Sequence, residues 1–170
     1  MSYQKLQVSQ SLKVIPSNDV MIPNPDSLIL IQETGDFTKA NEVTVAAGGL
    51  LTMGILQGAI VYNLGANIAY YVLSVDSDTV MTLSGGGVGG AGNVFNIFNS
   101  VASQPCVLYS GSGGDIIAVM AQDTNYASQG AVGHLSPTLF VSVPVGTFMP
   151  TQVIQVIETR TTAENIIALW

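Results

Sequence analysis

Short runs of β-branched and aromatic residues recur along the chain, and residues that favour turns separate them. Branched and aromatic side chains pack well on a pleated surface, whereas Gly, Pro, Asn and Ser favour places where the backbone turns. The runs that predict strands are residues 13–15, 28–32, 42–46, 59–63, 69–75, 79–83, 94–98, 106–109, 115–120, 139–143, 153–157 and 166–170. The one helix candidate, residues 162–169, is too short and too branched to stand alone. Many short strands with turns between them predict an all-β chain of sandwich or barrel type.

Charge is scarce, and positive charge is scarcest. Only 9% of the 170 residues are charged, and four Lys and Arg stand against eleven Asp and Glu. No Lys or Arg occurs between Ala40 and Glu158. A protein that grips DNA or RNA needs cations to neutralise phosphates, so nucleic acid is excluded as a direct partner. Proteins whose surfaces are rich in Ser, Thr, Asn, Gln and Gly repel each other only weakly. Such a surface suits a protein that is packed against neighbours in an assembly.

Residues 50–73 carry no charge over about the length of a membrane-spanning helix. Glycines and asparagines interrupt the stretch, its tyrosines and branched residues favour strands, and no Lys or Arg flanks it to set an orientation. We therefore expect no membrane partner. No basic segment followed by an apolar core is present at the N-terminus, so no signal peptide is visible.

Few residues could carry chemistry. Cys106 is the single cysteine, so it forms no internal disulfide and reads as a buried thiol. His134 is the single histidine, and no nucleophile elbow accompanies it. Residues 85–92 fit G-x-G-x-x-G twice, but a predicted strand follows where a phosphate site needs a helix, which favours a hairpin loop. Asp76 and Asp78 could share a calcium ion, but a cage of oxygen ligands needs more than two acids. The pair is therefore interpreted as a solvated turn. We expect no enzyme activity, no metal and no cofactor; a small hydrolase is the weakest alternative.

Three closing segments, LYSGSGGDI (108–116), VPVGTFMPTQVIQV (143–156) and TTAENIIALW (161–170), resemble a small β module of virion structural proteins. That family occurs in tailed phages and phage-like gene-transfer particles, and includes head spike-base and capsid decoration proteins. Residues 13–19 (KVIPSND) resemble the opening segment of the module, with one Asn inserted before the Asp. The middle strand series is similar to another β unit of phage structural chains. The resemblance implies that residues 1–26, an N-terminal arm and first strand, pack with residues 101–170, and that residues 27–100 form a second β unit inserted into the first.

The resemblance also implies a function. It predicts a structural protein on the outside of a capsid, made in the host cytoplasm, that decorates or cements the shell or seats a spike or fibre. The implied partners are the major capsid protein, a spike or fibre protein, and further copies of the chain, with a homotrimer expected. The alternative is a receptor- or glycan-binding spike module, in which aromatic rings stack on sugar. The candidate contact residues are Tyr3, Lys5 and Leu6 in the arm of residues 1–12, and Tyr62, Tyr70, Tyr71 and Trp170.

Overall fold

The computed structural model describes residues 8–85, 89–99, 104–121 and 137–170. The chain divides into two compact units. The first, here called the sheet unit, comprises Met1–Asn18 and Gln104–Trp170, and the second, here called the barrel unit, comprises Asp19–Ser103. The boundaries thus fall after Asn18 and Ser103, where the sequence analysis set them after residues 26 and 100.

Twelve strands make up the described fold. They are β1 (Ser11–Lys13), β2 (Leu28–Asp36), β3 (Glu42–Val45), β4 (Ile60–Asn63), β5 (Ile68–Val75), β6 (Val80–Leu83), β7 (Asn93–Phe98), β8 (Cys106–Ser110), β9 (Gly114–Met120), β10 (Thr138–Val143), β11 (Thr147–Val156) and β12 (Ile166–Leu169). Within the described ranges the helical content is a single 3-10 turn, Pro25–Ser27. The predicted fold class, all-β with one β unit inserted into another, is confirmed.

The barrel unit is a closed antiparallel barrel with strand order β2-β3-β6-β5-β4-β7. Closure pairs every strand on both edges, so no row of backbone donors and acceptors is left open. The interior is filled by Phe37, Val43, Val45, Leu50, Ala59, Val61, Tyr70, Val72, Met81, Leu83, Phe95 and Ile97, all buried. Phe37 lies at the centre of the aromatic contacts, with its ring centroid 6.2 Å from that of Tyr70 and 5.5 Å from that of Phe95.

Strand β2 runs through Asp36, four residues beyond the predicted strand of residues 28–32. The strand continues because a bulge between Leu30 and Glu33 shifts the register of its pairing with β7. Gln32, within that bulge, has φ of 52°, and its N–H donates to Asn96 Oδ1 at 2.8 Å. The side chain of the partner strand thus satisfies a backbone donor that the bulge removes from the ladder.

The sheet unit is built on six antiparallel strands in the order β1-β12-β8-β11-β9-β10. Its first strand, β1, pairs with its last, β12, with Ser11 opposite Leu169 and Lys13 opposite Ile167. One face of the strands β8, β11 and β12 is packed into the unit and carries Cys106, Leu108, Met149, Ile166 and Ala168, all buried.

The β10–β11 region differs from its sequence pattern. The sequence predicts no strand between residues 143 and 153, yet β11 already begins at Thr147 and contains Pro150. Proline is tolerated here because the β8–β11 register shifts between Met149 and Val153. In β10, Ser142 has φ of 51°, and its N–H donates to Asp115 Oδ1 at 2.8 Å.

The uncharged stretch of residues 50–73 contains a turn, β4 and part of β5. Across the described ranges of the chain, no helix has the length and apolar character that a membrane span requires.

Candidate partner-binding surface

The predicted contact residues fall into three groups. Tyr3, Lys5 and Leu6 lie outside the described residues. Tyr62 is 1% exposed and Tyr70 is 3% exposed, so neither ring is placed to stack on a sugar or a partner. Tyr70 belongs to the barrel core, and the Tyr62 ring packs edge-on against Phe98 with centroids 5.4 Å apart. The structure therefore corrects this part of the prediction: these two rings serve packing.

Tyr71 and Trp170 are half-buried. The Tyr71 hydroxyl accepts the Met21 N–H at 3.1 Å, and burial raises the pKa of this phenol. The Trp170 indole N–H donates to the Gln104 carbonyl at 3.1 Å, and the Trp170 carbonyl accepts the Ser9 N–H at 2.7 Å. Tyr71 is thus tied into the barrel unit, whereas Trp170 stays at the surface of the sheet unit.

An apolar face lies on the side of the sheet opposite its buried core. Residues directly opposite each other in a ladder point to the same face, and successive residues alternate. Tyr109 of β8 is opposite both Ile167 of β12 and Phe148 of β11. Leu169 is opposite Val107. We call Val107, Tyr109, Phe148, Ile167 and Leu169 together the outer face.

Two aromatic rings lie at the centre of the outer face. The Tyr109 and Phe148 rings have centroids 5.1 Å apart at an interplanar angle of 55°. Phe148 is 58% exposed. Gly146, with φ of 77°, lies beside them, and a side chain there would come within 3.9 Å of Tyr109 Oη. A partner would therefore meet a pre-formed aromatic pair whose rings lose little side-chain entropy on binding.

A shallow cleft extends the outer face at one end. It encloses about 280 Å³ and is lined by Val8, Gln104, Pro105, Cys106, Val107, Gln152, Leu169 and Trp170. Val107 and Leu169 belong to both the cleft and the outer face, so the two form one surface. The hydrogen bonds of Trp170 to Gln104 and Ser9 fix the indole at the edge of the cleft.

Charge is almost absent from this surface. Two cross-strand rows cross this surface: Ser11–Leu169–Val107 and Lys13–Ile167–Tyr109–Phe148. Lys13, at the margin on β1, is the one charged side chain among these described residues. Such a surface can bind an apolar or aromatic partner by excluding water.

The residues considered for chemistry make structural contacts. Burial raises the pKa of Cys106 to about 12, and its Sγ donates to the Val153 carbonyl at 3.3 Å. Asp76 accepts hydrogen bonds from the Ser74 and Thr82 hydroxyls, both at 2.7 Å, which lower its pKa. Asp78 Oδ1 accepts the Leu51 N–H at 3.3 Å. Within the described parts of the chain, no three His, Cys, Asp or Glu side chains are grouped to hold a metal ion.

Two further candidates fall wholly or partly beyond the described ranges. Residues 122–136, including His134, lie outside them, as do residues 86–88 of the glycine run. The described end of that run, Gly89 and Gly90, exchanges backbone hydrogen bonds with Phe37 at 3.4 and 3.3 Å. Strand β7 follows it, as predicted, and a phosphate site would need a helix there.

Sequence reasoning did not select Val107, Tyr109, Phe148 or Ile167. The sequence held no signal for this choice in the segment Cys106–Ser110, because four successive residues (CVLY) are apolar and only the structure shows that burial alternates there. A single sequence also does not show which strands lie beside this segment. The aromatic pair arises only because β11 brings Phe148 opposite Tyr109.

Comparison with protein-family models, with curated proteins and with solved structures finds no match to this chain.

Proposed function

We propose that this chain is a virion structural protein that decorates or cements the outside of a phage capsid and can seat a head spike or fibre. In this proposal it is made in the host cytoplasm, assembles as a homo-oligomer, expected to be a trimer, and contacts the major capsid protein. It performs no reaction. The proposal is supported by the resemblance of residues 108–116, 143–156 and 161–170 to virion β modules, and by the outer face.

The outer face is the observation that carries the proposal. A small, charge-poor β unit exposes the Phe148 ring on an apolar sheet face, although burying such a face would be favourable. Contiguous apolar surface of this kind marks a protein–protein contact. The acidic balance of the chain, −7 formally, keeps a shell-bound protein away from packaged nucleic acid.

Co-sedimentation with empty shells of the major capsid protein from its own phage tests the proposal. We expect wild-type chain to pellet with the shells and to stay in solution without them. Deletion of residues 1–7 removes Tyr3, Lys5 and Leu6 but spares β1, which begins at Ser11. That deletion should weaken shell binding while the thermal unfolding midpoint changes little. Wild-type chain that never pellets with shells would refute the shell-binding function.

A receptor- or glycan-binding spike module is the second candidate. The observation in its favour is the Tyr109–Phe148 pair with its exposed Phe148 ring, since aromatic faces at a surface suit the apolar faces of sugars. Of the four rings first considered for this role, Tyr62 and Tyr70 are buried and Tyr71 and Trp170 are half-buried, whereas Phe148 is 58% exposed. Binding to a glycan array that Phe148→Ser abolishes, together with no shell binding, would favour this candidate over the first.

A further inference from the structure

We propose that the open edge of strand β10 binds an extended segment of a partner protein, which adds a strand to the sheet unit. This inference goes beyond the proposed function and does not depend on it. Strand β10 is the last in the six-stranded order, so β9 is its one neighbouring strand among the described residues. The other edge of β10 therefore carries backbone groups that no described strand pairs.

The contacts of β9 show which backbone groups of β10 face the open side. The Ile117 N–H donates to Thr161 Oγ1 at 3.0 Å, and the Ile117 carbonyl accepts the Ile157 N–H at 2.8 Å. Both groups of Ile117 thus point away from Leu139, the residue of β10 that lies opposite it. Opposite residues in an antiparallel ladder exchange either two hydrogen bonds or none, so the N–H and the carbonyl of Leu139 face the open side.

The backbone of Val141 faces the same way. Backbone groups alternate in direction along a strand, and Val141 lies two residues after Leu139. The next residue, Ser142, donates its N–H to Asp115 Oδ1 of β9 at 2.8 Å, as the alternation requires. The positive φ of Ser142, 51°, and the register shift after Phe140 end the regular stretch there. The open edge therefore offers the N–H donors and carbonyl acceptors of Leu139 and Val141.

The side chains on this edge are apolar and exposed. Leu139 is 38% exposed and Val141 is 66% exposed, and both point to one face of the sheet because they are two residues apart. Strand β10 as a whole carries no charge. An added strand with apolar residues at alternate positions would cover both side chains while its backbone pairs with the open edge. The partner segment is thus extended, uncharged and apolar at every second position.

The opposite edge of the same sheet is protected against such pairing. Strand β1 has three residues and ends in Lys13. Short edge strands and lysine side chains are features that prevent another chain from pairing. Strand β10 has six residues and no charge, and its bulge at Ser142 lies near its end, which leaves Leu139 and Val141 accessible. The sheet unit therefore has one protected edge and one edge that can be extended.

Backbone geometry and charge select the occupant. Donors and acceptors that recur at every second residue are matched by another extended backbone, whereas a side-chain surface placed on the edge would bury them unpaired at a cost. A second copy of the chain is disfavoured, because each copy carries −7 and edge-to-edge pairing would bring two acidic bodies together. An uncharged extended segment meets no such repulsion.

Amide hydrogen exchange of the full chain, followed by NMR with and without a peptide, tests the inference. The probe is a capped peptide of alternating threonine and valine, as long as β10. In the chain alone, the amides of Leu139 and Val141 should exchange at least about tenfold faster than the amide of Phe140, which faces β9. The peptide should slow exchange at Leu139 and Val141 and leave Phe140 unchanged. A peptide with proline in place of valine lacks the matching donors and should have no effect.

A matched pair of variants separates backbone pairing from apolar contact. Val141→Pro removes an N–H that points to the open side, and proline is tolerated at such edge positions, so the unfolding midpoint should change little. It should raise the dissociation constant of the fluorescently labelled threonine–valine peptide about tenfold, as expected for the loss of one backbone hydrogen bond. Val141→Thr keeps the N–H and the branched shape, and should bind the peptide like the wild-type chain.

Several results would overturn the inference. Protection of the Leu139 and Val141 amides in the dilute chain alone would show that the chain itself covers the edge. Protection that rises with chain concentration, without peptide, would assign the edge to a second copy. An unprotected edge at millimolar threonine–valine peptide, or equal binding by wild type and Val141→Pro, would show that β10 adds no strand. Shell binding by a chain that fails these tests would leave the proposed function standing.

Discussion

Two leucines of the barrel unit, Leu83 and Leu73, allow one substitution to be compared inside and outside the same barrel. Leu83 of β6 is 1% exposed and belongs to the core, whereas Leu73 of β5 is 47% exposed. The neighbour of Leu73, Val72, is opposite Leu83 in the ladder and also points inward. The pair therefore tests which residues of β5 and β6 face the interior.

Leu83→Ala removes three carbons from a fully packed site. At about 0.8 kcal/mol per methylene, the lost transfer free energy is about 2.4 kcal/mol. The cavity left in the barrel raises the total loss of unfolding free energy to about 3–4 kcal/mol. Leu73→Ala removes the same atoms from a half-exposed site that solvent can fill, and we expect a loss of about 1 kcal/mol.

Urea unfolding followed by far-UV circular dichroism measures the difference. Because both residues lie in one unit, the reference transition is the same for the two variants. The expected gap of about 2–3 kcal/mol also corresponds to a difference in melting temperature of about 10 °C or more for a domain of this size. Equal losses for the two variants would show that Leu73 and Leu83 are equally buried, and would refute the inside–outside assignment of β5 and β6.

Three further outcomes follow from the described contacts. Gly35→Ala should destabilise the chain by about 1–3 kcal/mol in urea titrations, because a Cβ would lie 2.7 Å from Val43 Cγ2. An unchanged unfolding midpoint would show that the barrel side chains move aside without cost. Asp115→Ala should cost about 1 kcal/mol, since it removes the acceptor for the Ser142 N–H, and Asp115→Asn, which keeps a carbonyl oxygen, should recover most of it. The folded chain holds the Cys106 proton up to a pKa of about 12, whereas the unfolded chain releases it near 9.0, so stability should fall as pH rises above 9. Cys106→Ala should make the free energy of unfolding fall less steeply with pH, by up to about 1.4 kcal/mol per pH unit. Parallel pH profiles of the wild-type and variant proteins would contradict the burial of the thiol.

Local composition predicted where most strands lie, because branched and aromatic runs coincide with β3, β4, β6, β7 and β8 to within a residue or two. Local composition did not predict strand residues where pairing with a neighbouring strand outweighs the preference of the residues themselves. Residues 33–36 (ETGD) look like a surface loop by charge, yet they extend β2, because Thr34 and Asp36 are exposed and Gly35 has no Cβ to crowd the core side chains of Val43 and Phe95. Pro150 looks like a turn, yet it lies in β11 beside a register shift.

The contact surface was harder to predict than the fold. Tyr62 lies in β4, whose four residues are all buried, so no alternation along the strand shows which way a ring points. Tyr70 lies opposite Val61, and both point into the core, a fact set by the β4–β5 register. For the same reason the Tyr109–Phe148 pair could not be anticipated: the two residues are far apart in sequence and meet only through the pairing of β8 with β11. Register is fixed by the summed packing of many side chains, which no single segment encodes.

The nesting of one unit inside the other has a consequence for synthesis on the ribosome. Strands β2 to β7 follow one another without interruption, so the barrel can close as soon as Phe98 has left the exit tunnel. Strand β1 is made earlier but has to wait for β12, because Ser11 pairs with Leu169. The outer face is therefore assembled last, because β12, which carries Ile167 and Leu169, is the last of the described strands to be synthesised.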